Sequence, residues 1–174
     1  MLATSSSIIG LFAWLYLLTL RGAFWRLTEH DRNLAVKDAA VPATRVVAIV
    51  PARNEADVIE ASLSSLFAQQ VHGRFDIVLV DDESDDGTAE AARRCAAARG
   101  ALSRLTVLSS RGPDAGWTGK LAAMQRGFDH VRSLPIEFDF VLFCDADIEF
   151  SPQVLARLVA GAQARSAVLT SLMV

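Results

Sequence analysis

Two carboxylates separated by one small residue, Asp145-Ala146-Asp147, follow directly on the apolar run Val141-Leu142-Phe143-Cys144. Carboxylates at this spacing repel each other unless something neutralises them, and a divalent cation with oxygen ligands is the natural partner. Mg2+ held by one or two carboxylates usually also holds a phosphate, so the pair points to phosphate-ester chemistry. The plain alternative is a strand that ends in a polar turn. A second acidic cluster, residues 81–86 (DDESDD), follows another apolar run. Asp81 and Asp82 come straight off that run and are the binding candidates, because a carboxylate there can accept a hydrogen bond from an imide N–H such as that of uracil. Asp85 or Asp86, with Ser84, suits the capping of a following helix. A third polar turn is Pro51-Ala52-Arg53-Asn54-Glu55. Lys120 closes the GWTG turn at a predicted helix start, where a cation and unpaired N–H groups suit a phosphate; the alternative is an ordinary solvated lysine. No Gly-x-Gly-x-x-Gly follows a strand, and Gly119-Lys120 lacks the rest of a Walker A loop.

The elements that must position these residues alternate regularly. Arg45 to Val50 reads as a strand, followed by a helix with Ile59, Leu63, Leu66 and Phe67 on one face. Phe75 to Val80 is a second strand and Thr88 to Arg99 an Ala-rich helix. Leu105 to Leu108, Leu121 to Val131 and Phe138 to Cys144 continue the pattern as strand, helix, strand. Ser151 and Pro152 suit an N-cap and a first helical residue, before a face of Val154, Leu155, Leu158, Val159 and Ala162. Ala167 to Val174 would begin a fifth strand. Such alternation predicts an α/β fold, a mainly parallel sheet with helices on both faces. In such sheets ligands sit outside the carboxyl ends of the strands, where all three polar clusters fall. The unbroken apolar run before Asp145 predicts a strand covered on both faces.

With 174 residues, 52% of them apolar, the chain can bury a proper core. Its net charge of −3 and scattered Arg and Lys give no basic surface for nucleic acid. Cys95 and Cys144, in no metal-like spacing, read as reduced core thiols. Leu2 to Leu20 is a run of 19 residues without charge, close to the ~20 a bilayer-spanning helix needs. Trp14 and Tyr16 lie inside it and Trp25 follows at an interface-like position. There is neither a basic n-region nor a small-residue cleavage site, so an anchor over residues 1–26 is expected rather than a cleaved signal peptide, the plain alternative being a helix packed on the domain or lying in the membrane interface. Arg21, Arg26 and Arg32 follow the run, which by the positive-inside rule puts the rest of the chain in the cytoplasm. Residues 27–44 read as a linker or a short helix leading into the domain, residues 45–174.

The ordered stretches VVAIVPARNEADVIEASLSSL, FDIVLVDDESDDGTAE, GWTGK and FVLFCDAD resemble the nucleotide-sugar half of a GT-A glycosyltransferase of family 2. With the N-terminal apolar run, WRL, PARNEADVI and GWTGK are more closely similar to the hopene-associated glycosyltransferases, a bacterial membrane group. The resemblance implies a Rossmann-like GT-A domain, truncated, with an N-terminal hydrophobic helix. It implies that Pro51, Ala52, Arg53 and Glu55 line the nucleoside pocket and that Asp82 meets the uracil of a UDP-sugar donor. It also implies that Asp147 binds Mg2+ or Mn2+ directly, that Asp145 reaches the ribose or a water on the metal, and that Lys120 faces the base or the diphosphate. Transfer would invert the anomeric centre, and the acceptor would be a lipid. The catalytic base and acceptor subsite belong to a second half not found here, and no Gln/Arg-x-x-Arg-Trp segment is present. Two other classes stand beside this one. One is a non-catalytic nucleotide- or metal-binding domain. The other is a phosphoacceptor receiver, whose acidic pair, however, belongs on the first strand. A D-x-D phosphatase would likewise open on its nucleophile strand.

Overall fold

In the computed structural model, which describes residues 2–19, 43–113 and 116–171, every residue from Val46 to Val50 is fully buried. They form the centre of β1 (Thr44–Ala52). Parallel strands β2 (Gly73–Asp82) and β4 (Phe140–Phe143) flank it, and β3 (Leu105–Ser110) adds to β2, giving the order β3-β2-β1-β4. Val46, Ala48, Val50, Ile77 and Leu79 turn to one face, where they pack on α2 (Ile59–Phe67), α3 (Thr88–Ala98) and α5 (Val154–Arg165). Val47, Ile49, Val78 and Val80 turn to the other, against Ala123 and Val131 of α4 (Gly119–Ser133). Helices on both faces explain why β1 shows no apolar–polar alternation. The expected α/β architecture is therefore realised, with strand ends within a few residues of the predicted ones.

Three local expectations are corrected. β4 runs over four residues only and is half-exposed, with Phe143 46% accessible. It is an edge strand, covered on both faces as expected, by Phe140 and Leu142 packing on one core layer and Val141 on the other, but each of these is only partly buried. Ser151 and Pro152 do not open α5. Val154 N–H reaches Ser151 carbonyl (3.1 Å) in a preceding turn, and the helix begins at Val154. Residues 167–171 form no strand, and Val168 and Leu169 are exposed; the remainder of that expected strand, 172–174, lies outside the described residues.

The chain divides into two units, Met1–Ala35 and Val36–Val174. In the first, α1 (Leu2–Thr19) exposes Ile9, Phe12 and Trp14. Among the described residues no helix is long and apolar enough to cross a membrane. The expected anchor extended past α1 through Trp25 and Arg26, and those positions, with the linker to residue 42, lie outside the described residues.

Candidate functional site

The carboxyl ends of β1, β2 and β4 open on a cleft of about 370 Å³ lined by Pro51, Ala52, Arg53, Glu55, Asp82, Gly119, Lys120, Ala123, Asp145, Ala146 and Asp147. Eight of the nine residues singled out in the sequence line it. The exception is Asp81. Successive side chains on a strand point to opposite faces. Asp82 therefore follows Val78 and Val80 toward α4, while Asp81 follows Ile77 and Leu79 to the other face. There its Oδ1 accepts Ser84 N–H at 3.3 Å, a turn-forming role.

Asp82 is only 3% exposed. Its Oδ1 accepts the Ser110 hydroxyl at 2.7 Å, and its Oδ2 lies 3.8 Å from the Arg53 guanidinium. Gly119, the first residue of α4, comes so close that a Cβ there would stand 2.7 Å from Asp82 Oδ2. Beyond β4 the burial alternates. Cys144 and Ala146 turn into the core, while Asp145 and Asp147 both face out. Burial, reinforced by the Asp145 charge, pushes the Cys144 thiol up to about 12, so it stays protonated and inert. Lys120 Nζ sits 2.7 Å from Asp145 Oδ1.

The loop carrying Arg53 and Glu55 is stapled to the loop after β2. Asn54, in the left-handed region at φ 55°, donates its N–H to Ser84 Oγ (3.0 Å) and accepts Asp85 N–H on Oδ1 (3.0 Å). Glu55 N–H reaches Thr88 Oγ1 (2.9 Å) and Ala56 N–H reaches Asp86 Oδ2 (2.9 Å). Asp86 also accepts the Thr88 hydroxyl and N–H at the start of α3, and these hydrogen bonds hold its carboxyl below the usual range. The acidic run thus divides its labour: the N-cap of α3 is Gly87, with no side-chain cap, so Asp86 ties loops together rather than capping the helix as expected, and Asp82 lines the cleft.

Glu55 is held above its ordinary value by burial first, then by the charges of Asp147, Asp57, Asp86 and Asp145. This edge of the cleft therefore carries surplus negative charge, with Lys120 and Arg53 as the lining cations. Among the described residues no three acidic, His or Cys side chains are grouped to hold a metal. The chemistry of the donor set still fits Mg2+ or Mn2+, because such ions are commonly held by one or two carboxylates while substrate phosphate and water fill the other positions. Sequence reasoning missed Ser110 and Arg126, which support Asp82 from β3 and α4. Neither sits in a local motif. Gly119 was legible only as part of the GWTGK turn.

The family described as "Glycosyl transferase family 2" matches residues 47–174. The undecaprenyl-phosphate 4-deoxy-4-formamido-L-arabinose transferase of Edwardsiella ictaluri is 33% identical over 119 residues, 67% of this chain and 33% of that protein. The chain spans about a third of the length of the curated relatives it matches. The mannosyltransferase PcManGT from Pyrobaculum calidifontis, solved in complex with GDP-Man and Mn2+, superposes with a TM-score of 0.56 at 28% identity, covering 76% of this chain and 37% of its own. S. aureus TarS (residues 1–349), solved in complex with UDP-GlcNAc, gives 0.55 at 25% identity, with 70% of this chain and 32% of TarS covered.

Proposed function

The chain belongs to glycosyl transferase family 2, and from that premise we propose that residues 45–174 are the donor-binding part of an enzyme that moves a sugar from a UDP-linked donor to a lipid acceptor. The observation that carries the reading is one cleft holding a buried acceptor, Asp82, a cation, Lys120, and the outward pair Asp145 and Asp147. A nucleoside diphosphate presents the complementary groups in the same succession: an imide N–H, a ribose, and two phosphates. Asp82 Oδ2 would accept the uracil N–H, with Pro51, Ala52 and Arg53 forming the wall beside it. Lys120 would leave Asp145 for the diphosphate, and Glu55 keeps the pocket rim acidic. Asp147 and Asp145 would hold Mg2+ or Mn2+, which when bound supplies positive charge to the leaving diphosphate. Transfer is by single displacement with inversion, and no residue of this cleft is assigned as the base for the acceptor hydroxyl.

The narrower placement, with the hopene-associated enzymes, rests on WRL, PARNEADVI and GWTGK. A lipid acceptor is supported by the relative whose name carries undecaprenyl-phosphate and by the exposed apolar residues of α1. We assign residues 1–26 to a membrane-contacting element, 27–44 to a linker, and the domain to the cytoplasmic side of a bacterial inner membrane.

Calorimetry with UDP, GDP and ADP, each with and without Mn2+, tests the donor reading. UDP is expected to bind best, and Mn2+ to tighten it at least about tenfold, since phosphate brings the ligands the two carboxylates lack. Equal UDP affinity in both conditions would sink the metal assignment; preference for GDP or ADP would sink the uracil assignment. The membrane assignment is tested by flotation with lipid vesicles. The full chain is expected to float and the chain lacking residues 1–26 to remain below. If both stay below, α1 is not a membrane element.

A further inference from the structure

Asp82 alone does not determine which of its oxygens meets a ligand; that is settled by a chain of donors arriving from two other elements. The Ser110 hydroxyl, at the end of β3 and 5% exposed, donates to Asp82 Oδ1 at 2.7 Å. A hydroxyl has one hydrogen and can turn it elsewhere. Arg126, six residues along α4 from Lys120, prevents this. Its guanidinium donates to Ser110 Oγ, filling an acceptor position and leaving the hydroxyl hydrogen for Asp82. Its other terminal nitrogen donates to the Gly112 carbonyl at 2.5 Å. That fixes the segment after β3, where Gly112 takes a left-handed φ of 68°. Oδ2 is left between the close approach of Gly119 and the Arg53 guanidinium 3.8 Å away.

We propose that Arg126 is a positioning residue that, through Ser110, commits Asp82 Oδ1 to the protein and leaves Oδ2 as a fixed acceptor in the cleft, thereby setting uracil over cytosine. The inference rests on the reading of Asp82 as the base-contacting group. The chemistry of discrimination is direct. Uracil carries a hydrogen on N3, which a carboxylate oxygen accepts. Cytosine carries a lone pair there, which a fixed carboxylate oxygen repels. A carboxylate free to rotate or retreat loses part of that repulsion and part of that bond.

The experiment measures UDP and CDP affinity in the presence of Mn2+ for the full chain and for Asp82→Asn, Ser110→Ala, Arg126→Met and Arg126→Lys, with thermal melts. Arg126→Met keeps the length of the side chain and removes its donors. It is expected to compress the UDP-to-CDP ratio by about tenfold, the worth of one charge-assisted bond made or misaligned. Ser110→Ala should compress the ratio equally, and the double variant Ser110→Ala/Arg126→Met no further, because the two act in series. Arg126→Lys, which retains a cation and a donor, should recover part of the ratio. A purely structural arginine would instead lower the melting temperature and weaken UDP and CDP alike, leaving the ratio unchanged. That outcome, with Asp82→Asn having abolished discrimination, overturns the role of Arg126 while keeping that of Asp82. If Asp82→Asn itself retains the wild-type ratio, the base contact is wrong and the inference falls with it. Should Arg126→Met not fold, Ser110→Ala and Arg126→Lys decide on the same ratio.

Discussion

Asp147→Asn is expected to abolish metal-dependent nucleotide binding, a loss of at least about a hundredfold, while Asp145→Asn is expected to cost less than about tenfold. The two carboxylates are equivalent in sequence and differ in what already surrounds them. Asp145 is paired with Lys120 at 2.7 Å. Among the described residues Asp147 makes no hydrogen bond or ion pair, and its charge is felt instead by Glu55. A bare carboxylate is the better hard-cation ligand, because no resident cation must be displaced first. Asn keeps the size of Asp and one oxygen but loses the charge, and at a direct ligand of Mg2+ or Mn2+ the charge supplies much of the affinity. Changes one shell out from a metal already cost about 10–100-fold, so a direct ligand should cost at least the upper figure. At Asp145 the remaining amide oxygen can still accept from a ribose hydroxyl or from Lys120. A charge-assisted hydrogen bond is worth about 1.5–3 kcal/mol and a neutral one about 0.5–1.5, so the difference is on the order of 1 kcal/mol. Neither change should lower the melting temperature appreciably, since the Lys120–Asp145 pair is half-exposed and such pairs contribute little. UDP titration at saturating Mn2+ checks both variants. A larger loss at Asp145 would reverse the assignment, and no loss at either would remove the pair from the site.

Central strands declare themselves in a sequence more plainly than edge strands do. Val46 to Val50 is apolar at every position because helices cover both faces of β1 and strands flank both sides. Val141 to Phe143 has the same apolar character, yet β4 is an edge, since composition reports the two faces of a strand and not its place in the sheet order. The cleft was legible to the extent that its residues come in short local motifs at strand ends. Asp82 could have been separated from Asp81 by counting alternation from Val80, a signal present in the sequence. Ser110 and Arg126 could not, because they lie 28 and 16 residues from their partners in the chain Asp82–Ser110–Arg126: the parallel register of β2 and β3 sets Ser110 opposite Asp82, and the packing of α4 then brings Arg126 to Ser110. Ser151 and Pro152 have the right chemistry for a helix start, but an intervening turn uses them first.

The packing of α4 is also where one substitution made twice should have two separate consequences. Gly127→Ala is expected to lower the stability of the domain by about 1–2 kcal/mol, and Gly119→Ala to lower UDP affinity about tenfold or more with little change in stability. At Gly127 a Cβ would stand 2.5 Å from Ile49 Cγ2 and 3.1 Å from Val80 Cγ2. Both neighbours are β-branched, stiff at χ1, and fully buried in β1 and β2, so neither can swing aside. Overpacking of this kind costs about 1–3 kcal/mol. Replacing a mid-helix glycine by alanine returns about 0.5–1 kcal/mol, which the clash exceeds. For a chain of this size the melting temperature should fall by several degrees, at about 2–4 °C per kcal/mol. At Gly119 the obstructed atom is Asp82 Oδ2, 2.7 Å away, at the cleft rather than in the sheet. The carboxylate is the end of a side chain that can yield by turning within the cleft, so the fold is spared, but it must give up the Ser110 hydroxyl and the orientation that a base N–H requires. Gly119 has no left-handed φ, so alanine brings no backbone strain that could confuse the result. Thermal melts and UDP titration of the two variants separate the cases. If Gly119→Ala binds UDP as the parent does, Asp82 Oδ2 is not the acceptor in the cleft. If Gly127→Ala melts unchanged, α4 is free to lift from β1 and β2, and the close approach at Gly127 is not a constraint on the fold.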